Sequence, residues 1–182
     1  MKCFSSIVLC LCLLGSVSGA VPEKFVLKSD GFKNNMVMPE KYTCDGANVS
    51  PALSWQGVPE GTESFAVICH DTHTAANNWV HWVLYNIPVG TVQLEEGAGK
   101  SGVWELGDGT FQGKTTFGST GYGGACPPPG SGFHQYHFTI YALDVSMLDI
   151  KKDKKLVDRD DIKEAMNGHI LAESVLVGTY EK

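Results

Sequence analysis

Residues 79–87, Trp-Val-His-Trp-Val-Leu-Tyr-Asn-Ile, are apolar on both sides of an extended chain. Trp79, His81, Val83, Tyr85 and Ile87 fall on one alternating side, and Val80, Trp82, Leu84 and Asn86 on the other. A strand with one solvated face alternates apolar with polar residues; a strand apolar on both faces has to lie between layers. Four further runs, 25–28, 65–69, 137–143 and 175–180, are rich in Val, Ile, Thr and aromatics. Gly, Pro, Asn and Asp clusters separate them, which is the pattern of strands and turns. One helix is expected, capped by Asp158 or Asp160, with Ile162, Ala165, Met166 and Ile170 recurring at helical spacing and Gly168 weakening its end. The expected class is mainly β with a few peripheral helices.

The first twenty residues stand apart from this pattern. A basic start at Lys2, an apolar run over residues 7–14 and small residues at Val17-Ser-Gly-Ala20 describe a secretory signal peptide, too short to span a membrane. No Cys follows the cleavage region and no second run reaches membrane length, so residues 21–182 are expected as one secreted or periplasmic domain. The whole chain carries a net charge of −6; the signal holds one base, Lys2, and no acid, which leaves −7. An acidic chain without a basic run is a poor partner for nucleic acid or anionic membrane surfaces. Any phosphate site has to be local, built from dipoles and histidines.

Export also removes Cys3, Cys10 and Cys12, leaving Cys44, Cys69 and Cys126 in an oxidising compartment. Cys69 ends an apolar strand, whereas Cys44 and Cys126 lie in polar or Gly/Pro loops. A Cys44–Cys126 disulfide with Cys69 buried and free is expected, the alternative being three unpaired thiols. Asn48-Val-Ser50 is a glycosylation sequon, followed directly by Pro51.

Chemistry concentrates where loops meet strands. The stretch Tyr122-Gly-Gly-Ala-Cys-Pro-Pro-Pro-Gly-Ser-Gly-Phe-His-Gln-Tyr136 is a stiff loop that delivers a histidine and a tyrosine to the mouth of a strand. His70-Asp-Thr-His73 follows one strand and Trp79-Val-His81 opens another. An Asp with two His can capture an anion, with Gly-rich backbone N–H groups assisting, or hold a metal ion. A Ser-His-Asp hydrolase is the third possibility, but no Gly-x-Ser-x-Gly elbow or HExxH pair is present. Against all three stands a plainer reading, in which each histidine is a hydrogen-bonded core residue.

Taken in order, Tyr42-Thr-Cys-Asp-Gly46 with Ser50-Pro-Ala-Leu-Ser-Trp55, Trp79-Val-His-Trp-Val-Leu-Tyr-Asn-Ile-Pro88, Gly121-Tyr-Gly-Gly-Ala-Cys-Pro-Pro-Pro129, His134-Gln-Tyr136, Tyr141-Ala-Leu-Asp144, Gly168-His-Ile-Leu171 and Val177-Gly-Thr-Tyr180 resemble one family. It is the phosphatidylethanolamine-binding protein family, in its bacterial-type Raf kinase inhibitor-like branch. The resemblance spans nearly all of the chain after the signal. It implies two antiparallel sheets packed as a β-sandwich with peripheral helices. It also implies a small pocket for phosphate, phosphorylethanolamine or similar anions, lined by Asp71, Trp79, His81, Pro128, His134 and Tyr136. The family's activities imply a phospholipid head group as ligand, a kinase or serine protease as possible protein target, no cofactor and no general enzyme activity.

Two departures bear on that pocket. The family's Asp-Pro-Asp-Ala-Pro reads here Asp71-Thr-His73-Thr-Ala75, and its His-Arg-Tyr reads His134-Gln135-Tyr136. Both prolines, one acid and one guanidinium are lost, which loosens the loop and makes the pocket less negative. The leading expectation is an exported, non-enzymatic binding or inhibitor module with a phosphate-sized pocket. The alternative is a metal-assisted hydrolase using Asp71, His81 and His134.

Overall fold

The computed structural model describes residues 23–182, so the expected signal peptide lies outside the described residues. In chain order the strands are β1 (Val26–Lys28), β2 (Met36–Val37), β3 (Leu53–Gln56), β4 (Ser64–Asp71), β5 (Val80–Pro88), β6 (Gln93–Leu94), β7 (Phe111–Gln112), β8 (His134–Leu143) and β9 (Ile170–Tyr180). They form a three-stranded sheet, β1-β3-β6, and a six-stranded sheet, β2-β9-β8-β4-β5-β7. The fold is mainly β, as the sequence implies. One pairing departs from the expected antiparallel sheets: β2 runs parallel to β9, with Met36 opposite Gly178.

The central strands of the larger sheet are buried on both faces, which is why β5 is apolar throughout. Its inner face packs Phe65, Val67, Cys69, Trp82, Leu84, Phe138 and Ile140 against Leu27, Leu53 and Trp55 of the smaller sheet. Its outer face packs Ala66, Ile68, Val83, Tyr85 and Leu143 under Leu148, Val157, Ile162 and Met166. The last two belong to α1 (Arg159–Ala165) and its C-terminal cap. Trp82 is fully buried and donates from Nε1 to Gln112 Oε1 at 2.9 Å. Gln112 in turn donates to the carbonyls of Lys100 and Val103, so the core indole is satisfied through a network that also ties down the following loop.

Strict alternation along β5 fails twice. Cys69 pairs with Trp82 and His70 with Val80, so one step on β4 spans two on β5 and His81 is the extra residue of a bulge. A second register shift lies between Phe65 and Val67, near Asn86, whose φ is 55°. As a result Val80 belongs to the outer cluster while Trp82, Leu84 and Ile87 belong to the inner one. The expected partition by odd and even position is corrected accordingly.

The helix begins where its cap predicts. Asp158 accepts from the backbone of Asp160 and Asp161, and Asp161 returns a bond to the Asp158 N–H, a reciprocal capping box. It ends earlier than the spacing of Ile170 suggests. Gly168, at φ 85°, turns the chain, and Ile170 is the first residue of β9 rather than a fourth helical anchor. The strand's pairing with β8 outweighs a helical face of modest apolarity.

His70 and His137 face each other on the outer side of the sheet, ring centroids 5.9 Å apart. The His70 Nδ1 is buried without a partner among the described residues, and burial, reinforced by the His137, Lys163 and Arg159 charges, pushes its pKa down to about 4. An unfolded histidine titrates near 6.5, so the unfolded chain binds the proton first. Stability from this group is complete above about pH 6.5 and is lost as pH falls towards 4. Thermal unfolding between pH 7 and 4.5 should show a smaller loss of Tm in His70→Phe than in the parent protein. Equal losses would remove His70 from the account.

Candidate functional site

The inner-face column that builds the core ends in polar groups. Along β4 the inward positions run Phe65, Val67, Cys69 and then Asp71, and along β8 they run Ala142, Ile140, Phe138, Tyr136 and then His134. Asp71 and Tyr136 are directly paired across the two strands. The β5 bulge swings His81 to the same end, and Trp79 stands just before the strand begins. The six residues implied by the family resemblance, Asp71, Trp79, His81, Pro128, His134 and Tyr136, therefore line one cavity of about 320 Å³. Ala76, Phe117, Cys126 and Pro127 complete its wall, and among the described residues no Lys or Arg lines it.

Among the described residues all but two polar atoms here have an identifiable partner. His134 Nδ1–H donates to Asp71 Oδ2 at 2.5 Å, with the two side chains only 1% and 4% exposed. The other carboxylate oxygen accepts from the His73 N–H at 2.8 Å. His73 stacks on His134 with ring centroids 3.9 Å apart. The Thr72 N–H donates to the Gln135 carbonyl at 3.0 Å, so the acidic loop is braced through backbone where the family has an arginine. His81 Nδ1–H donates to the Gly123 carbonyl at 2.6 Å, which leaves Nε2 as the unused ring nitrogen. Burial lowers the His81 pKa, partly offset by that hydrogen bond and by the Asp71 charge. The second unpartnered atom is the Tyr136 hydroxyl, buried and without a hydrogen-bond partner among the described residues. Burial, then the negative charge of Asp71, raises its pKa.

The Gly/Pro loop serves a different purpose from the one the sequence suggests. The Gly123 N–H donates to the His81 carbonyl and the Gly124 N–H to Asn48 Oδ1, so these donors are spent inside the protein and are not offered to a ligand. Glycine is required there for close approach. A Cβ on Gly124 would lie 2.5 Å from Asn48 Oδ1, and one on Gly123 would lie 2.4 Å from the Phe117 ring. The loop is stitched to residues 42–48 by the Cys44 N–H to Ala125 carbonyl bond, by the Tyr122 hydroxyl on the Tyr42 carbonyl and by the Cys44–Cys126 disulfide. Cys69 is free and buried.

Among the described residues no group of three His, Cys, Asp or Glu side chains is arranged to hold a metal ion. The ligand set of the metal-hydrolase alternative is not assembled: Asp71 and His134 are bonded to each other, and His81 spends Nδ1 on a carbonyl. Sequence reasoning missed two residues. Phe117, 46% exposed, sits edge-on to both Trp79 and His81, at 5.5 and 5.3 Å. Ser131 Oγ lies 3.0 Å from His134 Nε2. Phe117 carries no local signal, since it lies in a loop outside the motifs that mark the other residues. Ser131, within Gly-Ser-Gly three residues before His134, does carry one.

Comparison with known proteins places the chain among relatives. A family profile described as phosphatidylethanolamine-binding protein matches residues 28–181. A UPF0098 protein of Methanothermobacter thermautotrophicus is 44% identical over 156 residues, which cover 86% of this chain and 98% of that protein. One from Aquifex aeolicus is 42% identical over 169 residues, 93% of this chain and 94% of that protein. The crystal structure of YbcL from E. coli, described as a new member of the mammalian PEBP family, matches with a TM-score of 0.78 and 31% identity. That match covers 88% of this chain and 99% of the other.

The disulfide joins positions 82 residues apart. Closing a loop of that length stabilises by about 4 to 5 kcal/mol through the unfolded chain. Urea denaturation of the Cys44→Ala, Cys126→Ala double variant should show a loss of that order. A loss below about 1 kcal/mol would mean that the hydrogen bonds between the two loops already supply the constraint.

Proposed function

The chain belongs to the phosphatidylethanolamine-binding protein family, and on that premise we propose that its cavity binds a small phosphate-bearing ligand. A phospholipid head group such as phosphorylethanolamine, or free phosphate, fits a space of about 320 Å³. Acyl chains stay outside so small a site. The observation that carries this reading is the pair of unused polar atoms at the cavity, the buried Tyr136 hydroxyl and His81 Nε2. A buried donor without a partner costs about 1 to 3 kcal/mol, which a ligand oxygen relieves.

The chemistry of the pair selects an anion that brings or recruits a proton. Tyr136 donates to one phosphate oxygen. His81 with Nδ1–H on the Gly123 carbonyl presents Nε2 as an acceptor. It meets either a protonated phosphate oxygen or, after taking up a proton, an unprotonated one. With no Lys or Arg in the wall, affinity depends on that proton. The half-exposed rings of Trp79 and Phe117 stand at the rim, where an ethanolamine ammonium gains a cation–π contact. The reading of residues 1–20 as an export signal puts this capture outside the cytoplasm.

Tyr136→Phe separates binding from folding. It deletes a hydroxyl that has no partner in the free protein, so thermal stability should stay level or rise by about 1 kcal/mol. Calorimetric titration with phosphorylethanolamine should show an affinity about tenfold weaker. A variant that unfolds more easily and binds as tightly as the parent would contradict the proposal.

A further inference from the structure

At the edge of the cavity three side chains form a relay whose serine head-group capture does not use. Ser131 Oγ is 3.0 Å from His134 Nε2, and His134 Nδ1 is 2.5 Å from Asp71 Oδ2. Asp71 is itself fixed by the His73 N–H on its other oxygen. Ser131 is half-buried on a turn between Gly130 and Gly132, both at positive φ, 75° and 79°. That backbone, which side chains with a Cβ rarely adopt, holds the hydroxyl towards the imidazole. With Nδ1–H donated to the carboxylate, the neutral ring turns the lone pair of Nε2 towards the serine. A nucleophile bonded to a base, and the base bonded to a buried carboxylate that orients it, is the arrangement that serine hydrolases share across unrelated folds.

We propose that the protein carries a serine-dependent acyl-transfer activity towards small uncharged carboxylic esters, with Ser131 as nucleophile, His134 as general base and Asp71 as its positioning residue. Ser131 Oγ bonds to the ester carbonyl carbon while its proton passes to His134 Nε2. The bond from that carbon to the alcohol oxygen then breaks, and the alcohol leaves with the proton from His134. Water repeats the sequence against the acyl-serine, releasing the acid and restoring the hydroxyl. The Pro128 carbonyl, 2.7 Å from Ser131 Oγ, is the second acceptor of the hydroxyl proton, so the group rotates by one torsion to engage the base. This activity goes beyond the binding reading and shares Asp71 and His134 with it.

An alkyl fluorophosphonate reports the activation directly: the Ser131 O–P bond forms, the P–F bond breaks, fluoride leaves and the proton goes to His134. Intact-mass spectrometry and peptide mapping of the purified protein should find one adduct, on Ser131, absent from Ser131→Ala. His134→Gln should label at least about 100-fold more slowly, the usual scale of general-base assistance. Hydrolysis of 4-nitrophenyl acetate should fall to the uncatalysed rate in Ser131→Ala. Ser131→Ala deletes one half-buried oxygen, so this comparison does not depend on the buried His134 tolerating replacement. No adduct on the parent protein, an adduct that survives Ser131→Ala, or equal labelling of a folded His134→Gln would overturn the proposal. Phosphorylethanolamine titration of Ser131→Ala keeps the two readings apart. Unchanged affinity with no labelling of the parent sinks only the esterase, whereas absent affinity in parent and variant alike sinks the binding reading.

Discussion

A carboxylate at the end of an apolar column has to be matched, and the pairing of Asp71 with His134 meets that demand. Both side chains are almost fully buried, and a charge left alone there would cost several kcal/mol. The match also sets the order of everything around it. Asp71 ends the inward row of β4, His134 opens that of β8, and Tyr136 lies opposite Asp71. Because β8 cannot slip by one residue without turning His134 outward, the hydrogen bond of this pair and the register of the central sheet enforce each other.

From that pair the cavity follows by sheet mechanics. The bulge at His81 adds one residue to β5 and brings a third imidazole to the inner end. The loop carrying Gly123 closes over it, and the Gly123 carbonyl accepts its Nδ1–H. What remains unsatisfied is a hydroxyl and one ring nitrogen, in a wall without a permanent cation. In the proposed anion-binding role, affinity for negative charge would therefore follow proton occupancy.

Much of this was legible in the chain, and the failures have physical causes. The runs that become β4, β5, β8 and the second half of β9 were visible because both faces are buried and their residues are bulky or β-branched. The strands β2, β3, β6 and β7 are two to four residues long, too short for any period to register. Alternation along β5 misassigned faces because a bulge is a matter of pairing, which one strand's sequence does not contain. Ile170 fitted a helical face and joined a strand because β8 offers it a partner. The residues of the resemblance are legible as a set, but their delivery is not: Gly123 and Gly124 permit close packing and spend their N–H groups inside the protein. Ser131 lies in a Gly-Ser-Gly turn rather than the Gly-x-Ser-x-Gly elbow, so no familiar motif marks it in the sequence.

The central claim is that an anion enters together with a proton on His81, and sulfate tests it most directly because its own charge stays fixed near neutrality. Calorimetric titration from pH 7.5 to 5.5 should show affinity rising towards about tenfold per pH unit, the slope for uptake of one proton. That slope should vanish in His81→Gln. Affinity that is flat across the range, or equally steep without His81, would contradict it.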